Sequence, residues 1–130
     1  MTTMPSLRLI RTSIALVWIY EGLWCKVLGH VPRHEAILDS LPLLTTAEAH
    51  ALLLALGFLE CAIGVWVISG WRPAEGALLQ TALLVSMNGG GLIFAARLVP
   101  DPAGMLLQNF TFLLLAWTAA SKRQTYEPQS

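Results

Sequence analysis

Charge is what this chain has least of. Only 12% of its 130 residues are Asp, Glu, Lys or Arg, while 55% are hydrophobic. A soluble domain carries roughly 25% charged residues, so the polar outer faces that a soluble bundle of this size needs are missing. The formal net charge is zero, which argues against a nucleic-acid partner, because phosphates demand a basic face. The two cysteines, Cys25 and Cys61, lack CxxC spacing, so no disulfide framework or zinc ribbon is implied. A phosphate loop, a nucleophile elbow and a deaminase signature are all missing.

Long apolar runs fill the space instead. Four segments, at about 7–28, 47–69, 73–98 and 102–120, each approach the roughly 20 residues that a membrane-spanning helix needs. The expected fold is all-α, a four-transmembrane-helix bundle in up-down-up-down order that uses residues 1–130 as one domain. The lipid bilayer is its expected partner. Local punctuation agrees with these limits. Thr45 and Glu48 fit a capping box. Pro73 with Glu75, and Asp101 with Pro102, match the preferences of helix starts. Lys122 and Arg123 place cations at the last C-terminus. The first segment carries Arg8 and Arg11 like a signal peptide, but Glu21 interrupts it and no A-x-A site follows. A retained helix is expected.

Arg8, Arg11, Arg72, Lys122 and Arg123 fall on one side of this topology, and Lys26, Arg33 and Arg97 on the other. The positive-inside rule then places both termini in the cytoplasm. Trp24 would anchor the outer interface, and Trp66, Trp71 and Trp117 the inner one. The outer loop from Gly29 to Thr46 contains a stretch beginning at Glu35 that suits a short interfacial helix.

An ionised carboxylate in hydrocarbon is costly, so intramembrane acids face a bundle interior and mark functional sites. Glu21 and Glu60 are two such acids. By helix rise, Glu21 and Asn88 lie roughly 21–22 Å from the inner ends, Asn109 about 16 Å and Glu60 about 13 Å. These four residues form the candidate ligand-binding or proton-handling set, as rungs of one polar track. Lys26 completes it, either snorkelling to headgroups or bridging the bundle. Five residues beyond Glu21, it lies on a different face of an ideal helix. Gln80, Gln108 and Thr111 read as interhelical hydrogen-bonding residues.

Gly22 with Gly29, and Gly57 with Gly64, are each seven apart and mark faces for close helix approach. Gly89, Gly90 and Gly91, next to Asn88, are expected to loosen the third helix. His30, His34, Glu35, Asp39 and His50 contain metal-ligand residue types, but Pro32 breaks their spacing and no second motif completes a set. No metal site is expected. Cys25 and Cys61 read as packing residues.

The run Trp18-Ile-Tyr-Glu21-Gly22-Leu-Trp24-Cys25-Lys26 resembles the first-helix signature of the DoxX-like family. Gly57-Phe-Leu-Glu60-Cys-Ala-Ile-Gly64 resembles its second helix, and Asn88 and Asn109 fit its later spans. The resemblance implies a bacterial four-helix inner-membrane protein linked to quinone or thiol redox processes. It implies a quinone-like or small apolar ligand, with a redox partner subunit supplying any cofactor. Catalysis and oligomeric state stay open. A small proton-coupled transporter and a non-catalytic scaffold are the alternative readings.

Overall fold

The computed structural model describes residues 6–125, with side chains as far as Ser121; those of Lys122 and Arg123 lie outside the described set. It is helical throughout, and no strand forms among the described residues. Helix α1 (Leu7–Ile19) continues directly into a π-helical stretch, Tyr20–Val27. Then follow α2 (Pro32–Asp39), α3 (Thr46–Ser69), α4 (Pro73–Phe94) and α5 (Pro102–Thr125). A single 3-10 turn, Ala96–Leu98, separates the last two.

The caps follow the sequence chemistry. Ser6 Oγ accepts from the Leu9 N–H, at 3.1 Å. Thr45 and Glu48 close a reciprocal capping box, with bonds of 2.9 and 3.1 Å. Asp101 Oδ1 accepts from the Gly104 N–H at 3.1 Å. Each bond satisfies a backbone donor that a helix start leaves without a partner. Gly70 ends α3 in the left-handed region (φ 73°), where glycine carries no steric cost.

Helices α3, α4 and the Pro102–Ser121 part of α5 are each long and apolar enough to cross a membrane. The segment Leu7–Val27 meets the same test only together with α2, from which it is bent by 73°. Arg8, Arg11, Glu21 and Lys26 explain why: this is the most charged of the four segments. The apolar windows of the three clear spans are only 28, 17 and 11% buried. Most of their surface is therefore left for lipid to cover.

The helix order is antiparallel between neighbours. Gly64 packs on Ala15 and Ile19, and Gly57 on Gly22 and Lys26, so α3 runs down the face that α1 runs up. Thr81 meets Trp117, and Asn88 meets Asn109, which sets α4 against α5 in the same sense. Ile10, Ile14, Trp18, Ile63, Leu84, Ala116 and Ala119 form the apolar core. Trp18 ties it together. Its indole donates to Gln80 Oε1 at 2.8 Å, and its ring meets Phe112 edge-on at 5.8 Å.

Glycine divides differently from the sequence reading. Gly22, Gly57 and Gly64 all lie where α1 and α3 touch backbone to backbone; a methyl group on Gly22 would strike the Gly57 carbonyl. Gly29 instead sits just past the helix end in the left-handed region (φ 69°), with open space around it. The Gly89–Gly91 run does not interrupt α4, which continues to Phe94 and breaks at Ala95. Backbone hydrogen bonds within the helix outweigh the roughly 1 kcal/mol per residue by which glycine disfavours it.

This contrast can be measured. Gly57→Ala should lower thermal stability in detergent, because Val27, Lys26 and the Gly22 carbonyl already crowd the site. Gly89→Ala meets nothing within 4 Å and should be neutral or stabilising by about 0.5–1 kcal/mol. Equal loss from both would refute the assigned close approach.

Candidate functional site

The site begins with a change in helix winding. In a π-helix each N–H reaches back to the fifth preceding carbonyl, so the winding slackens and residues five apart, on well-separated faces of an α-helix, come toward one face. Leu28 N–H to Leu23 O, at 2.8 Å, is one such bond. Glu21 and Lys26 are five apart. Here they share a face, with Lys26 Nζ 3.9 Å from Glu21 Oε1. The expectation that the two residues diverge holds for an α-helix and fails for this winding.

Lys26 does not snorkel. It is 5% exposed and turns into the bundle, where its ammonium lies 2.9 Å from Oε1 of Glu60 on α3. Glu60 is 1% exposed. Neither of its oxygens has a hydrogen bond of good geometry among the described residues, so Oε1 relies on the ion pair and Oε2 accepts none. The glycines make this possible. With no side chain on Gly57, the backbone of α3 approaches Lys26 Cβ closely enough for the pair to form.

Antiparallel register also corrects the depth ladder. Gly22 is level with Gly57, which leaves Glu60 roughly 3 Å below Glu21 by helix rise rather than about 8 Å. The two carboxylates therefore share one ammonium instead of occupying separate rungs. Glu21 is the accessible member, with its side chain 39% exposed.

The two asparagines form a second station. Asn109 Nδ2 donates to Asn88 Oδ1 at 3.0 Å across α4 and α5. Among the described residues no hydrogen bond or ion pair joins them to Glu21, Lys26 or Glu60. The structure thus resolves the expected track into a charged cluster between the π-helical stretch and α3 and an amide pair between α4 and α5. Gln80 joins neither; it is the buried acceptor of Trp18. Thr111 bonds the Leu107 carbonyl of its own helix.

Two residues at the charged cluster were read otherwise in the sequence, His34 as part of the outer loop and Cys25 as a packing residue. Helix α2 folds back and brings His34 Nε2 to 4.0 Å from Glu21 Oε1. Cys25 is buried on the same π-helical stretch. Donor atoms of Glu21, Cys25 and His34 all lie within 4.8 Å of one another. The four-residue step from Glu21 to Cys25 was a visible helical signal. The arrival of His34 depends on the fold-back and was not. The remaining histidines go elsewhere: His30 stacks on Trp24 at 3.9 Å, and His50 pairs with Glu35 at 3.1 Å.

Removing one partner of a buried ion pair strands the other charge, at a cost of about 3–5 kcal/mol. Lys26→Met should therefore be strongly destabilising, because it strands Glu60. Glu60→Gln should cost less, since Lys26 keeps Glu21 within 3.9 Å. The double variant should recover much of the Lys26→Met loss in thermal unfolding. Simple additivity of the two single effects would show that the pair is not coupled.

Comparison with known proteins bears on the whole arrangement. No curated protein and no solved structure matches this chain. A family model, described as the DoxX-like family, matches residues 15–117, a span that holds Glu21, Lys26, Glu60, Asn88 and Asn109. With its apolar helices and this match over most of its length, the chain is a multi-pass membrane protein that belongs to the DoxX-like family.

Proposed function

We propose that this protein supports a membrane redox process by holding the polar head of a quinone-like or other small apolar molecule at the Glu21–Lys26–Glu60 cluster. One observation carries the reading: a buried ammonium shared by two carboxylates, one sealed and one partly open. An ammonium donates to a carbonyl oxygen, and a nearby carboxylate can accept or return the proton that accompanies reduction. Glu21 gives access, Lys26 supplies the donor, and Glu60 holds Lys26 in place. Asn88 and Asn109 enter as a second polar step on the other side of the bundle. A partner subunit would supply the redox cofactor, and the association state is left to that assembly.

A bacterial inner membrane, with both termini in the cytoplasm, fits this role and the distribution of Lys and Arg. Proton-coupled transport is less well supported. Glu60, the carboxylate that would exchange protons for a cationic substrate, already has Lys26 as its cation. A purely scaffolding role leaves the buried charges without a use beyond helix pairing.

Purified protein in nanodiscs should bind a short-chain quinone. A hydrogen bond to a charged group contributes about 1.5–3 kcal/mol, so Lys26→Met or Glu21→Gln should raise the Kd roughly ten- to hundredfold. Asn109→Ala should have a smaller effect. Wild-type protein that binds no quinone, or variants that bind it equally well, would remove the reading. A fluorescent protein fused at the C-terminus should fold and fluoresce on the cytoplasmic side; an inactive fusion would reverse the orientation.

A further inference from the structure

Beside the ion pair lies a set of donors that the quinone-like reading does not use. Glu21 offers a carboxylate oxygen, Cys25 a sulfur and His34 an imidazole nitrogen, all within 4.8 Å of one another. They come from two elements. Glu21 and Cys25 are one turn apart on the helical stretch, and His34 is delivered by α2. Zinc takes sulfur at about 2.3 Å, and nitrogen or oxygen at about 2.0–2.2 Å. Around a tetrahedral ion such donors are roughly 3.3–3.6 Å apart. The Glu21–His34 separation of 4.0 Å is within a small side-chain adjustment of that spacing.

Charge favours a cation here. Lys26 lies 3.9 Å from Glu21, but its nearer partner is Glu60 at 2.9 Å. Those two compensate one another, which leaves the Glu21 charge in surplus on the exposed side of the cluster. A thiolate adds a second negative charge and selects against hard cations such as Mg²⁺. We infer that Glu21, Cys25 and His34 form a three-ligand site for a borderline-soft divalent metal of the zinc class, with the fourth position left to an exogenous ligand. On binding, the Cys25 S–H bond breaks as the metal–sulfur bond forms, and one proton per metal leaves to solvent. No oxidation state changes. This site goes beyond the ligand-binding reading and does not rest on it, although both draw on Glu21.

Cobalt(II) is the probe, added to chelator-stripped full-length protein in detergent with no quinone present. One Co²⁺ per chain should bind with tetrahedral d–d bands and a sulfur-to-cobalt charge-transfer band, both bleached by Zn²⁺ and unaffected by Mg²⁺. Cys25→Ser should abolish the charge-transfer band, whereas Cys61→Ser should leave it intact. Glu21→Gln and His34→Ala should each weaken binding about tenfold or more. His34 is on the peripheral α2, so its variant keeps the test informative should Cys25→Ser fail to fold. Six-coordinate Co²⁺ without a sulfur band would overturn the site. So would wild-type affinity in His34→Ala, or an unchanged band in Cys25→Ser. Because quinone is left out, these outcomes stand apart from success or failure of the quinone test.

Discussion

The contact between Lys26 and Glu60 organises this bundle. It lies where the π-helical stretch and α3 approach through Gly22 and Gly57, whose close contact sets their register. In hydrocarbon an ionised side chain at a helix centre costs about 2.5–3.5 kcal/mol on insertion scales. Two such charges pay that cost once each unless they meet. Their meeting requires a close backbone approach, which Gly22 and Gly57 provide, and a winding that turns Lys26 inward, which the π-helical stretch provides. Replace any one of these three features and the others lose their purpose.

The bundle is consequently two-ended. Around Ile14, Trp18, Ile63 and Ala116 it is packed with apolar side chains and the buried Trp18–Gln80 hydrogen bond. Toward α2 it carries Glu21, Lys26, Glu60, Cys25 and His34. Rigid packing at one end lets the other hold costly groups in fixed relation. A partly exposed carboxylate at the edge of a sealed ion pair offers both access from outside and a constant local field. Those are the properties a small binding site in a membrane needs.

Much of this was legible in the sequence, and the failures have a common cause. The limits of α3 and the starts of α4 and α5 follow from local chemistry at Thr45, Pro73 and Asp101, and the structure keeps them. Glu21, Lys26 and Glu60 were recognisable because charge in an apolar run is conspicuous. Their mutual distances were not. Helix rise treats each span as an ideal rod measured from uncertain ends, whereas register comes from glycines meeting across the interface. The π-winding moved Lys26 onto the face of Glu21, and the turn into α2 moved His34 beside it. Asn88 and Asn109, set about 5–6 Å apart in depth by helix rise, nevertheless meet, and they meet each other rather than the acids. Which residues are polar can be read from sequence; their relative depth and direction depend on what lies opposite.

The uneven charge of the segments also bears on how the protein is made. The stretch Leu7–Val27 does not qualify as a span without α2, while α3 qualifies easily. Lys26 is synthesised a full helix before Glu60, the residue that neutralises it in the finished bundle. The first segment therefore reaches the insertion machinery with Glu21 beside Lys26 but without Glu60, its nearer partner. Entry of the two helices together as a hairpin brings Lys26 and Glu60 into lipid already paired, at lower cost than either charge alone. The ion pair that joins the two helices in the finished bundle thus also favours their joint entry into lipid.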